Sequence, residues 1–201
     1  MADAASAGSA TTRMLVRRGL TLEYLTLIWN VVGTVVSILA AVAAGSVALA
    51  GFGLDSLIEI GASTVVIWQL NERDQSRERR ALRLIGGAFI GLALYIVVQA
   101  AYTLIAAQHP HHSTLGIAWT AVTCVVMLAL AAGKTRTGRP LENPVLLTEG
   151  RVTLIDAYLA GAILIGLALN AAVGWWWADP LAGVVIVFYG LREGRNALRQ
   201  A

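Results

Sequence analysis

Asp55 and Glu59 stand four residues apart in the stretch GFGLDSLIEIGASTVVIWQL, and Asp156 lies in TLIDAYLAGAILIGLALNAAVGWWW. Residues four apart on a helix share one face, about 6 Å apart along the axis, so the first two acids project towards the same neighbour. Two like charges that close need a shared cation or proton. All three acids interrupt runs that otherwise read as helix in hydrocarbon. A carboxylate at such depth costs roughly 2.5–3.5 kcal/mol on insertion scales, so each must face something that stabilises it. Carboxylate oxygens suit hard or borderline divalent ions, and a coupled pair is suited to exchanging a metal for protons. The competing reading is that the acids are protonated or bonded to Ser56, Ser63, Asn30 or Thr153 and only hold helices together.

Other polar residues fall near these three. Glu149 precedes Asp156 by seven residues, on nearly the same helix face and about 10 Å nearer one end. It is either an entry ligand or a solvated helix start paired with Arg151. Thr153 could donate an oxygen to an ion or bond its own backbone. Asn30 could complete a cation shell or make an interhelical hydrogen bond. Glu23 is close enough to the helix end to snorkel. His109, His111 and His112, in QHPHHSTLG, read as a polar loop, with a weak metal-release site as the alternative.

The elements that must position these groups are membrane spans. The chain of 201 residues is 57% hydrophobic and 13% charged, with a mean hydropathy of +0.69, which is too apolar for a water-soluble domain. Runs of the roughly 17–25 residues needed to cross a bilayer occur at 21–44, 48–70, 84–107, 115–132, 146–173 and 180–198. The expected fold is all-α: a polytopic six-transmembrane-helix bundle in the cell (inner) membrane. Residues 1–20 are expected to form a disordered tail and basic juxtamembrane segment, and residues 21–201 the helical domain. The first run is too long for a signal-peptide core and is expected to be retained.

All 15 basic residues fall before the first span, between spans 2 and 3, around the connection of spans 4 and 5, or towards the end of the last and beyond it. Lys134, Arg136, Arg139 and Arg151 make up the group around the connection of spans 4 and 5. By the positive-inside rule both termini and these connections are cytoplasmic. Glu59 then lies roughly 16 Å below the outer edge and Asp156 roughly 15 Å above the inner one, both near the midplane of a core about 30 Å thick. Short outer connections predict that spans 1 and 2, 3 and 4, and 5 and 6 are antiparallel neighbours. Trp175, Trp176 and Trp177 suit an aromatic belt. Glycines and alanines allow close helix approach in lipid.

Other classes find no support. The basic residues are dispersed among short connections, which argues against a nucleic-acid partner. The single cysteine, Cys124, permits neither an intramolecular disulfide nor a thiolate cluster and is expected to pack in the fourth span. No phosphate loop, nucleophile with adjacent base or paired CxxC is present, so neither enzymatic chemistry nor an organic cofactor is expected.

The segment GSVALAGFGLDSLIEIGASTVVIWQL resembles the second transmembrane helix of cation diffusion facilitator transporters, and TEGRVTLIDAYLAGAILIGLALNAAVGWWWADPLAGVVIVFYG resembles their fifth and sixth. LEYLTLIWNVV in the first span is similar to small bacterial members. The resemblance implies a dimeric six-helix bundle in which Asp55, Glu59 and Asp156 bind a divalent metal ion that leaves as protons enter. Two departures stand out. Val152 occupies the position where zinc-transporting relatives carry histidine, so an oxygen site could favour Mn²⁺, Fe²⁺ or Co²⁺ over Zn²⁺. The chain also ends shortly past the last span, where relatives continue into a cytoplasmic metal-binding domain. A non-transporting membrane subunit and a proton-coupled carrier of small organic cations are the alternative functions.

Overall fold

Residues 2–71, 75–106 and 111–201 are described by a computed structural model. They form six helices: α1 (Ala2–Ala44), α2 (Val47–Asn71), α3 (Gln75–Ile105), α4 (Thr114–Leu141), α5 (Pro144–Val173) and α6 (Ala178–Gln200). Five segments, Thr11–Ala44, Ala48–Trp68, Leu82–Ile105, Thr114–Leu141 and Pro144–Val173, are long and apolar enough to cross a membrane. Among the described residues α6 falls outside that group; its second half carries Arg192, Glu193, Arg195 and Arg199.

The helix ends follow from local chemistry. Ser46 Oγ accepts the Leu49 N–H at 3.2 Å, Ser113 Oγ that of Gly116 at 3.0 Å, and Asn143 Oδ1 that of Leu146 at 2.8 Å. Each cap satisfies a donor that the first helical turn leaves open, worth about 1 kcal/mol. Gly45 and Gly174 turn the chain after α1 and α5 at φ of 61° and 70°, a region that costs glycine nothing.

Three expectations need correction. Residues 2–12, expected to be a disordered tail, belong to α1; alanine is the strongest helix former, and the segment runs unbroken into the apolar stretch. The basic connection expected between spans 4 and 5 is only the turn at Glu142 and Asn143, so Lys134, Arg136 and Arg139 are on α4 and Arg151 is on α5. Finally, α1 pairs with α2 and α5 with α6 as expected, but the main partner of α3 is α6, and that of α4 is α5.

Glycine explains the α3–α6 pairing. A Cβ on Gly86 would stand 2.9 Å from the Gly194 carbonyl oxygen, and one on Gly194 would stand 3.0 Å from that of Gly86. Two backbones meet there, and the contact is closed to any larger residue.

Burial is inverted relative to a protein folded in water. Val42, Ile105, Val125, Ile165 and Phe188 are exposed, whereas Glu23, Glu59, Lys134, Glu149 and Asp156 are buried. One apolar cluster contains Phe52, Leu159 and Ile163; another contains Ala62, Val66, Val145 and Val152. Asp55 and Glu59 on α2, and Thr153 and Asp156 on α5, fall between the two clusters along their helices.

Candidate cation-binding site

The buried stripe of α1 repeats every seven residues: Glu23, Asn30, Ser37 and Ala44. Two helical turns separate successive members, so all four face the bundle. On α2 the buried face passes from Phe52 through Asp55, Ser56 and Glu59 to Ala62 and Ser63. On α5 it passes through Glu149, Val152, Thr153, Asp156 and Ala160. The α4 face carries Thr120, Thr123, Met127, Leu130, Lys134 and Thr137.

These stripes bring a connected set of polar groups together. Asn30 Nδ2 donates to Glu59 Oε2, and Thr153 Oγ1 donates to Glu59 Oε1 at 3.3 Å. Thr153 Oγ1 also accepts from Lys134 Nζ at 3.0 Å. The same ammonium lies 3.2 Å from Glu149 Oε1 and 3.1 Å from Glu23 Oε2, with all three side chains shut off from solvent. Ser63 approaches the Glu23 carboxyl without closing a hydrogen bond.

The three acids singled out from the sequence come together. The Asp156 carboxyl comes up against those of Asp55 and Glu59, and no N–H or hydroxyl donor reaches either of its oxygens. Among the described residues no three His, Cys, Asp or Glu side chains form a ready-made metal cage. The arrangement is three carboxyls within reach of one another, one of them met by no N–H or hydroxyl donor.

The open alternatives at the neighbouring residues resolve into contacts. Asn30 makes an interhelical hydrogen bond, to a candidate ligand rather than to a structural group. Thr153 bonds side chains on two other helices instead of its own backbone. Glu149 is buried against Lys134, not solvated beside Arg151. Arg151 turns away, donating to Thr148 at 3.0 Å and lying 4.0 Å from Glu193. Val152 belongs to an apolar cluster. His111 and His112 are exposed, the His111 N–H bonding the Ala44 carbonyl at 2.7 Å, while His109 lies outside the described residues. Trp175 and Trp177 are stacked and partly exposed, as an interfacial anchor would be. A Cβ on Gly161 would stand 3.7 Å from Cys124 Sγ, which places the thiol in the α4–α5 packing.

Sequence reasoning missed two residues of this network. From its place among the arginines Lys134 reads as part of a topology-setting connection, and Glu23 reads as a snorkelling residue; both are buried and ion-paired. The signal was periodicity: Lys134 follows Met127 by seven residues, and Glu23 precedes Asn30 by seven.

Long apolar helices around a polar, acid-rich interior define a multi-pass membrane protein. A model of the cation efflux transmembrane domain matches residues 82–201, and the chain belongs to that family, one of transporters rather than enzymes. The match includes Asp156 and Lys134 but begins after Asp55 and Glu59. Among similar proteins, an uncharacterized transporter, sll1263, of Synechocystis is 25% identical over 78% of this chain and 54% of its own length. A cation-efflux pump, FieF, of Shewanella oneidensis is 31% identical over 53% of this chain and 36% of its own. A cadmium, cobalt and zinc/H(+)-K(+) antiporter of Bacillus subtilis is 29% identical over 58% of this chain and 37% of its own. The chain thus spans about half the length, or less, of these curated relatives.

Proposed function

We propose that the protein exports divalent metal cations in exchange for protons, with Asp55, Glu59 and Asp156 as the ligands of a site deep in the membrane. The observation that carries this reading is the meeting of three buried carboxyls, Asp156 against Asp55 and Glu59, with no N–H or hydroxyl donor reaching either Asp156 oxygen. A group of this kind left bare in hydrocarbon is costly, and a divalent ion or protons remove that cost. The names of two relatives, a cation-efflux pump and a cadmium, cobalt and zinc/H(+)-K(+) antiporter, support the same class of cargo.

In this reading Asp55, Glu59 and Asp156 supply the oxygens that replace part of the ion's hydration shell. Asn30 and Thr153 hold both Glu59 oxygens from outside and set the orientation of that ligand. Ligation requires ionised carboxyls, so proton entry from the far side releases the metal, and coupling follows from competition for the same oxygens. Without a histidine at position 152 the donor set is all oxygen, which favours Mn²⁺, Fe²⁺ or Co²⁺ alongside Zn²⁺. A homodimer is the proposed assembly, with residues 21–201 as the transporting domain.

Flux of several metals into proteoliposomes across a pH gradient tests this reading. Metal uptake should depend on the gradient and vanish in Asp55→Asn and Asp156→Asn. Uptake unaffected by both substitutions would sink the proposal. Competition by small organic cations without metal flux would favour a carrier of those cations.

A further inference from the structure

Lys134 is the only lysine in the chain; every other basic residue counted in the sequence is arginine. It is also wholly buried. Its Nζ touches three oxygens on two other helices: Glu23 Oε2 at 3.1 Å, Glu149 Oε1 at 3.2 Å and Thr153 Oγ1 at 3.0 Å. A lysine ammonium is a compact point charge with three rotatable donors, closer to a small cation than a planar guanidinium is. One carboxylate would neutralise it, but two are present, and Glu149 Oε2 remains without a hydrogen-bond partner.

The packing around this group is specialised for it. A Cβ on Gly150 would stand 3.2 Å from Lys134 Cβ and 3.3 Å from the Thr135 backbone nitrogen, so α4 and α5 touch at this level because residue 150 has no side chain. Glu23 precedes Asn30 on α1, and Glu149 precedes Thr153 and Asp156 on α5. The oxygen cage therefore sits on the inner side of Glu59 and connects to it through one hydroxyl, that of Thr153.

We propose that the Lys134 ammonium is a tethered occupant of a second cation site, made by Glu23, Glu149 and Thr153, and that an ion arriving from the inner side must displace it to reach Glu59. The inference rests on the reading of Asp55, Glu59 and Asp156 as the central site. The second site is also all oxygen, so its ligand class is a hard divalent cation. When Nζ leaves, Thr153 is freed from its donor and can reorient, which links occupancy of the inner cage to the position of Glu59.

Counting bound Mn²⁺ by its electron paramagnetic resonance signal in the detergent-purified full chain tests this. The unsubstituted protein should bind one ion, lost in Asp156→Asn. Lys134→Gln should bind a second, and Lys134→Gln/Glu149→Gln should return to one. If Lys134→Gln stays at one ion while Asp156→Asn still removes it, the tethered occupant is overturned and the central reading stands. No binding by the unsubstituted protein overturns the central reading itself, and this inference with it. Should Lys134→Gln fail to fold, acylation of the single lysine in the unsubstituted protein, read by mass spectrometry, carries the same test. Each ion that passes to or from Glu59 exposes Nζ, so labelling of Lys134 should be several-fold faster while Mn²⁺ exchanges than in metal-free protein, and an unchanged rate overturns the proposal.

Discussion

The Thr153 hydroxyl on α5 donates to Glu59 Oε1 on α2 at 3.3 Å, across 94 residues of sequence. Because the same oxygen accepts from Lys134 Nζ at 3.0 Å, its single proton is committed to Glu59. Thr153→Ala removes this orienting contact while leaving every carboxyl in place. Divalent-metal affinity should fall by about 10–100-fold, the usual cost of losing a group that orients a ligand. Thr153→Ser should restore most of it, and calorimetric titration with Co²⁺ distinguishes the two.

Asn30 holds the other oxygen of the same carboxyl. Asn30→Leu leaves Glu59 Oε2 without that donor, and metal affinity should fall about tenfold or more. Thr153→Ala and Asn30→Leu act on one carboxyl, so their combined effect should differ from the sum of the single effects. A double-mutant cycle on metal binding reads the coupling.

Lys134→Ala strands Glu23 and Glu149 in a space without solvent. Removing one partner from a buried ion pair typically costs about 3–5 kcal/mol, whereas removing all the charges together is close to neutral. Lys134→Ala should therefore lower the thermal midpoint in detergent sharply. Glu23→Gln/Lys134→Met/Glu149→Gln should recover it.

Gly86→Val tests the packing of α3 on α6. Its Cβ would fall 2.9 Å from the Gly194 carbonyl and 2.8 Å from Leu198 Cγ. Overpacking of this kind costs about 1–3 kcal/mol. The thermal midpoint should drop while the metal affinity of the folded protein stays unchanged, because the site is built from α1, α2, α4 and α5.

Much of the interior was legible because hydrocarbon makes acids conspicuous. Asp55, Glu59 and Asp156 stand out against apolar runs, and helical spacing places the first two on one face. Lys134 did not stand out, since a lone base among Arg136 and Arg139 at a span end has an ordinary role in topology. Only the seven-residue register with Met127 marks it as inward-facing. The α3–α6 partnership was illegible for a different reason. Gly86 and Gly194 carry no side chain to announce a contact, and the sequence offers only their smallness, which many other glycines share.

The two-residue turn at Glu142 and Asn143 has a mechanical consequence. With Asn143 capping α5 and close contact between the backbones at Gly138 and Gly150, α4 and α5 form a tightly packed hairpin that carries Lys134, Glu149, Thr153 and Asp156. The α1–α2 pair carries Glu23, Asn30, Asp55 and Glu59. The bonds from Lys134 to Glu23 and from Thr153 to Glu59 are stitches across the seam between these two hairpins. Any sliding of one hairpin against the other would have to unpick both, so the contacts that order these side chains would also resist such a movement.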